Sequence, residues 1–270
     1  MTHSPDLVAL EPFLAELNRA AGETILPLFR IDNGLEDKGG AKGFDPVTAA
    51  DRGAEATIRR LIAAHHPDHG VIGEEYGEDR PDAEFVWVLD PIDGTRAFIA
   101  GLPVWTTLIA LRFRGEPVLG SIGQPFIGEI FLGHAGGSRL ISRHGSRPLV
   151  TRKGVALDRA IIATTDPFGT FNAAQMETWG RVRAAVRLAR MGCDAYAYAM
   201  IAAGALDLVI EAGLKSWDIE SAIPLLAGAG GAVSDWTGAP LGRHGGDAVL
   251  AGDRALLEAM VGVLTAGAPA

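Results

Sequence analysis

Hydrophobic and polar positions follow two rhythms along this chain. Near the start, Leu7, Leu10, Phe13, Leu14, Leu17, Ala21, Ile25 and Leu28 recur at a helical period. Ser4-Pro5 ahead of them reads as an N-cap followed by proline in the first turn. A second helix is predicted from Thr48, carrying Ile58, Leu61 and Ile62 inward. The glycine-rich stretch 32–44 between them reads as a mobile loop. The apolar run 85–89 is predicted to be a buried strand. Segments 107–113, 118–122 and 129–132 look like further strands, separated by glycine and proline turns.

Beyond about residue 150 strands and helices alternate. Segments 161–163, 206–210 and 248–251 are strand-like. Segments 172–186, 194–203, 217–229 and 255–264 are helical, with Pro224 a candidate kink. The pattern predicts an α+β N-terminal lobe, 1–150, and an α/β C-terminal lobe, 151–270. No internal repeat is visible.

Composition narrows the class. Of 270 residues, 48% are hydrophobic and 21% charged, enough apolar content for a packed core and against disorder. No apolar run reaches the roughly 18 residues of a membrane span. The first residues lack the basic and apolar regions of a secretory signal. A single cysteine, Cys193, excludes an internal disulfide framework and a cysteine-cluster zinc site, and it suits a reducing cytoplasm. The net charge of −9 argues against a nucleic-acid partner. Excess carboxylate suits hard, oxygen-liganded cations such as Mg²⁺.

The sharpest chemistry lies in Trp87-Val88-Leu89-Asp90-Pro91-Ile92-Asp93-Gly94-Thr95. An apolar strand delivers two carboxylates, then a glycine that lets a ligand approach the backbone and a hydroxyl that can open a short helix. Two carboxylates at a strand end can bridge divalent metals; an isolated Asp-rich turn is the competing account. Phosphatases that form an aspartyl-phosphate space their two aspartates by two residues, which shares one strand face. Asp90 and Asp93 are three apart, so alternation places them on different faces and disfavours that mechanism. Glu74 follows the apolar pair Val71-Ile72 and either ends a predicted strand or lies in a solvated turn. Asp218, after Trp217, opens an apolar helix, where capping alone would explain it. Asp51 fits a capping box with Thr48.

Taken in order, Asp45-Pro46-Val47-Thr48-Ala49-Ala50-Asp51, Glu74, the Asp90–Thr95 motif, Trp217-Asp218 and Gly228-Ala229-Gly230-Gly231 resemble the inositol monophosphatase family. Within it, 95–105, Gln124-Pro125-Phe126 and Gly192-Cys193-Asp194-Ala195-Tyr196-Ala197-Tyr198 are similar to the histidinol-phosphate phosphatase branch, with Thr106 standing where glycine is expected.

The resemblance implies a layered α-β-α-β-α sandwich of the inositol monophosphatase and fructose-1,6-bisphosphatase type. It also implies a homodimer using two to three Mg²⁺, with Mn²⁺ as a substitute. Glu74, Asp90, the Ile92 carbonyl, Asp93 and Asp218 would hold metal, and Gly94 and Thr95 amides the phosphate. Asp51 and Thr95, with Glu74, would prepare the attacking water. Asp93, Asp194, Glu211 and Asp218 would line the substrate. Asp194 has a second reading, as an N-cap. The implied reaction is hydrolysis of L-histidinol phosphate by in-line attack of water, in histidine biosynthesis. Alternatives are an inositol, sugar or nucleotide phosphatase, or a regulatory, RNA-polymerase-associated protein of the same fold.

Overall fold

The computed structural model describes residues 5–30, 36–37, 46–47, 49–242 and 244–266. Five layers stack as α-β-α-β-α. The outer pair is α1 (Leu7–Ile25) against α2 (Ala49–His65), with the two-residue strands β1 (Glu36–Asp37) and β2 (Pro46–Val47) paired between them in sequence.

The first sheet holds β3 (Gly70–Gly73), β4 (Gly77–Asp79), β5 (Phe85–Asp93), β6 (Thr106–Phe113), β7 (Glu116–Gln124), β8 (Glu129–His134), β9 (Gly137–Ser142) and β10 (Gly145–Pro148). Its order is β10-β9-β8-β7-β6-β5-β3-β4, with β3 and β5 parallel and the other pairs antiparallel. A short helix α3 (Thr95–Ile99) follows β5.

The second sheet runs β12-β11-β13-β15-β14. The chain meets it as β11 (Ile161–Thr164), α4 (Pro167–Thr170), α5 (Ala173–Ala185), β12 (Leu188–Met191), α6 (Tyr196–Ala202), β13 (Leu208–Leu214), α7 (Ser216–Ile219), α8 (Ala222–Ala229), β14 (Ala232–Asp235), β15 (Gly246–Ala251) and α9 (Arg254–Thr265). Helices α6 and α8 fill the middle layer between the sheets, and α5 and α9 form the far outer layer.

Strand alternation builds the cores. Ile109 and Leu111 of β6 join Leu14, Leu17, Ile58, Trp87 and Leu89 under α1 and α2. Leu108 faces the other way, with Ile122 and Phe131, onto Ile201, Leu225 and Leu226. On β13, Leu208 and Ile210 pack beneath Leu256, Leu257 and Met260, while Val209 faces the middle layer. The central strands β5, β6 and β13 are buried on both faces, as a sheet covered by helices on both sides requires, while the edge strands β4, β10 and β12 stay exposed.

Several predicted elements shift. Helix α1 is capped by Asp6, whose Oδ1 accepts from Ala9 N at 3.1 Å, not by a Ser4-Pro5 start. The helix predicted over 194–203 begins later, at Tyr196, with Ala195 as N-cap; Asp194 has φ of +45°, so its N-cap reading falls. The helix predicted over 217–229 is two, α7 and α8. Pro224 is not a kink: it lies in the first turn of α8, where its missing N–H costs nothing. Most of the predicted 32–44 loop, and Thr48, lie outside the described residues. Among the described residues no helix is long and apolar enough to cross a membrane.

Candidate active site

The feature that organises the site is a bulge in β5. Asp90 faces Leu108 of β6 and Asp93 faces Thr106, so three steps on one strand match two on the other. A bulge inserts one residue and resets the alternation beyond it. Pro91 sits there, where a missing donor is tolerated. Asp90 and Asp93 therefore turn toward the second sheet together, while Ile92 packs under α1 and α2. The face argument drawn from their spacing is overridden locally.

Around them the chain gathers further carboxylates. Asp51 is buried on the inner side of α2. Glu74 follows β3 and is anchored by its backbone N–H donating to Leu89 O at 3.3 Å. Asp218 is the third residue of α7, and its Oδ2 accepts from Lys215 N at 2.7 Å. Burial pushes Asp90 well above the usual carboxylate range, and Glu74, Asp93, Asp218 and Asp51 push it further. Asp93 is raised by burial, then by Asp194, Asp218 and Glu211, against the Ala195 N–H that it accepts at 2.7 Å. Asp218 rises to about 6 through burial, opposed by Lys215.

Burial raises all three carboxyls, and for Asp90 and Asp93 neighbouring like charges add to it. Asp90 Oδ1 is buried without a hydrogen-bond partner among the described residues. A buried acceptor in that condition is costly unless something outside the chain satisfies it. Every candidate donor is a hard oxygen, the set that suits Mg²⁺. Among the described residues, no three such side chains form a ready-made coordination group. Oxygens of Asp93 and Asp218 are engaged by backbone amides instead.

Gly94 turns the chain at φ of +80°. A Cβ there would lie 2.9 Å from the Asp194 carboxyl, so close packing as well as conformation demands glycine. Thr95 Oγ1 donates to Ile92 O at 3.2 Å, tying together two atoms expected to serve water and metal.

Glu211 is buried on the inner face of β13 and accepts from Thr165 N at 2.9 Å and Thr165 Oγ1 at 2.8 Å. Burial raises it to about 8, against the Thr165 hydrogen bonds. Burial raises Asp194 to about 6, with Arg96 opposing and Asp166 adding to the rise.

Sequence reasoning missed Glu55. It is fully buried one turn beyond Asp51, accepts from Glu75 N at 2.8 Å and Tyr76 N at 3.2 Å, and pairs with Arg59. It thereby fixes the turn carrying Glu74. Two acids four apart on one helix face, among apolar neighbours, were the available signal.

The layered α/β fold, the family match and the histidinol-phosphatase relatives together define a phosphoric monoester hydrolase. The sequence matches the inositol monophosphatase family over residues 6–265, and the chain belongs to that family.

It is 42% identical over 221 residues to a chloroplastic bifunctional phosphatase, IMPL2, of Arabidopsis thaliana. That alignment covers 81% of this chain and 62% of the plant protein, so this chain spans less than two thirds of that relative. A histidinol-phosphatase of Mycobacterium tuberculosis is 32% identical, over 92% of this chain and 94% of its own. The Nus factor SuhB of Escherichia coli K12 is also 32% identical, over 90% and 91%. Among solved structures, an inositol monophosphatase from Zymomonas mobilis has a TM-score of 0.82 at 35% identity, covering 95% of this chain and 98% of that one.

Proposed function

We propose that this chain is a Mg²⁺-dependent phosphomonoesterase that hydrolyses L-histidinol phosphate to L-histidinol and phosphate. The observation that carries the phosphatase chemistry is the β5 bulge, which sets Asp90 and Asp93 on one face beside Asp51, Glu74 and Asp218. Glu74, Asp90, Asp93, Asp218 and the Ile92 carbonyl would hold two to three Mg²⁺, which would supply a water of lowered pKa and charge to stabilise the leaving oxygen.

The remaining roles fall to the chain itself. Asp51 and Thr95 orient the attacking water, and the Asp51 carboxylate takes its proton. The amides of Gly94 and Thr95 hold phosphate oxygens. Water attacks phosphorus in line and the alkoxide departs, with no covalent enzyme intermediate.

The choice of substrate rests on charge. Glu211 and Asp194 stand beside Asp93 and suit an alcohol that carries an ammonium and an imidazole. The same reading places the protein in histidine biosynthesis, as a cytoplasmic homodimer with lobes 1–150 and 151–270. It is supported by the single cysteine and by similarity to histidinol-phosphatases.

Phosphate release from histidinol phosphate and inositol 1-phosphate, side by side, tests it. Histidinol phosphate is expected to be the better substrate, and a chelator to abolish both activities. Asp93→Asn is expected to lose at least tenfold to a hundredfold, roughly the loss seen for residues merely behind a metal ligand. Near-full activity of that variant in Mg²⁺ refutes the site. The similarity to SuhB favours a second reading, an RNA-polymerase-associated protein, which total absence of phosphate release would support.

A further inference from the structure

At the edge of the site one arginine joins the two sheets' loops. Arg96, the second residue of α3, extends to Asp166, and its Nη1 stands 2.9 Å from Asp166 Oδ2. Asp166 caps α4 through its other oxygen, which accepts from Gly169 N at 3.1 Å. The reaction described above uses neither residue.

Their surroundings fix where this pair lies. Arg96 is two residues from Gly94, whose missing Cβ leaves room for the Asp194 carboxyl. Thr165, next to Asp166, holds Glu211 through its N–H and its hydroxyl. The fields of both Arg96 and Asp166 reach Asp194. Asp166, Asp194 and Arg96 therefore form one constellation beside the turn proposed to hold phosphate and beside Glu211, one of the acids proposed to meet the alcohol. Arg96 bonds Asp166 directly and reaches Asp194 only through its field, so one guanidinium faces two carboxylates and one negative charge is left uncompensated.

We propose that Asp166 is a specificity-determining residue: with Asp194 it receives the ammonium of an amino-alcohol phosphate, and Arg96 occupies that place until substrate arrives. This rests on the phosphomonoesterase reading and deepens it. The Arg96 side chain is 62% exposed, and an exposed ion pair of this kind is weakly held. Exchanging a guanidinium for a substrate ammonium between the same carboxylates therefore costs little. A neutral polyol offers nothing to displace Arg96 and gains nothing from the two carboxylates, so its binding does not depend on this pair.

Asp166→Asn separates charge from structure, because asparagine caps a helix as well as aspartate does. Kinetics are compared on histidinol phosphate, on another 2-amino-alkyl phosphate and on the matching 2-hydroxy-alkyl phosphate. In the variant, KM for both amino esters is expected to rise on the order of tenfold, the scale of one charge-assisted contact. KM for the hydroxy ester and all kcat values are expected to stay within about twofold. Arg96→Met is expected to lower the KM ratio of amino to hydroxy ester, the opposite direction. An equal KM rise on amino and hydroxy esters in Asp166→Asn, or an unchanged ratio, overturns the inference and leaves the phosphatase reading intact. Phosphate release from none of the esters by the wild type overturns both.

Discussion

Arg112 on β6 and Glu220, just after α7, form a bidentate pair across 108 positions of sequence. Nε stands 2.7 Å from Oε2, and Nη2 bonds Oε1. Their side chains are only 11% and 7% exposed. Arg112→Ala would leave the Glu220 carboxylate buried without its guanidinium. Removing one partner of such a pair costs about 3–5 kcal/mol, a large share of the roughly 5–15 kcal/mol that holds a domain folded.

Burial already raises Glu220 even with Arg112 opposing it, so in the variant it would rise further. A carboxyl whose folded pKa lies above its unfolded value destabilises the fold as pH rises above the unfolded pKa. The deficit of Arg112→Ala is therefore expected to be largest at pH 7 and above, and to shrink toward pH 5.

Urea unfolding followed by tryptophan fluorescence at pH 5 and pH 7.5 measures both effects. Arg112→Met combined with Glu220→Leu removes both charges and is expected to return to within about 1 kcal/mol of wild type. A cost below about 1 kcal/mol for Arg112→Ala at pH 7.5 would refute the reasoning, since that is the scale of an exposed pair. Because Glu220 follows Asp218 by two residues, Arg112→Ala is also expected to need more Mg²⁺ for half-maximal activity.

Two further predictions concern other positions. Gly94→Ala would place a Cβ 2.9 Å from the Asp194 carboxyl at a φ of +80°; the left-handed conformation alone costs about 1–2 kcal/mol, so stability is expected to drop by at least that much and phosphate release to fall as well. Loss of unfolding stability without loss of activity would contradict that placement. His69 accepts from Trp87 Nε1 at 3.1 Å and stacks on His66 and Phe85. Burial first, then His66, lowers its pKa to about 4 from 6.5. The unfolded chain takes up a proton below pH 6.5 that the folded one refuses, so stability is full above pH 6.5 and falls toward pH 4. For a half-exposed ring the screened effect is about 1 kcal/mol, and His69→Gln, measured by unfolding at pH 5 and 7, is expected to flatten the decline by that amount.

The sequence by itself determined the elements whose signals are local. The helical period of Leu7 to Ile25 and the apolar run ending in Asp90 announce α1 and β5, because periodicity and turn residues act within a few positions. The family was legible for the same reason: its motifs are short and keep their order.

Tertiary structure decided how those pieces meet. Alternation alone would separate Asp90 from Asp93; pairing with β6 creates the bulge that unites them. The predicted helix over 217–229 breaks in two around Glu220, a residue whose partner lies 108 positions away. Strand β12 carries no clear strand pattern and forms because β11 offers a parallel partner. Glu55 serves the Glu74 turn, and Arg96 meets Asp166, only once the layers have stacked. In each case the deciding interaction joins residues far apart in sequence, and no local pattern carries that information.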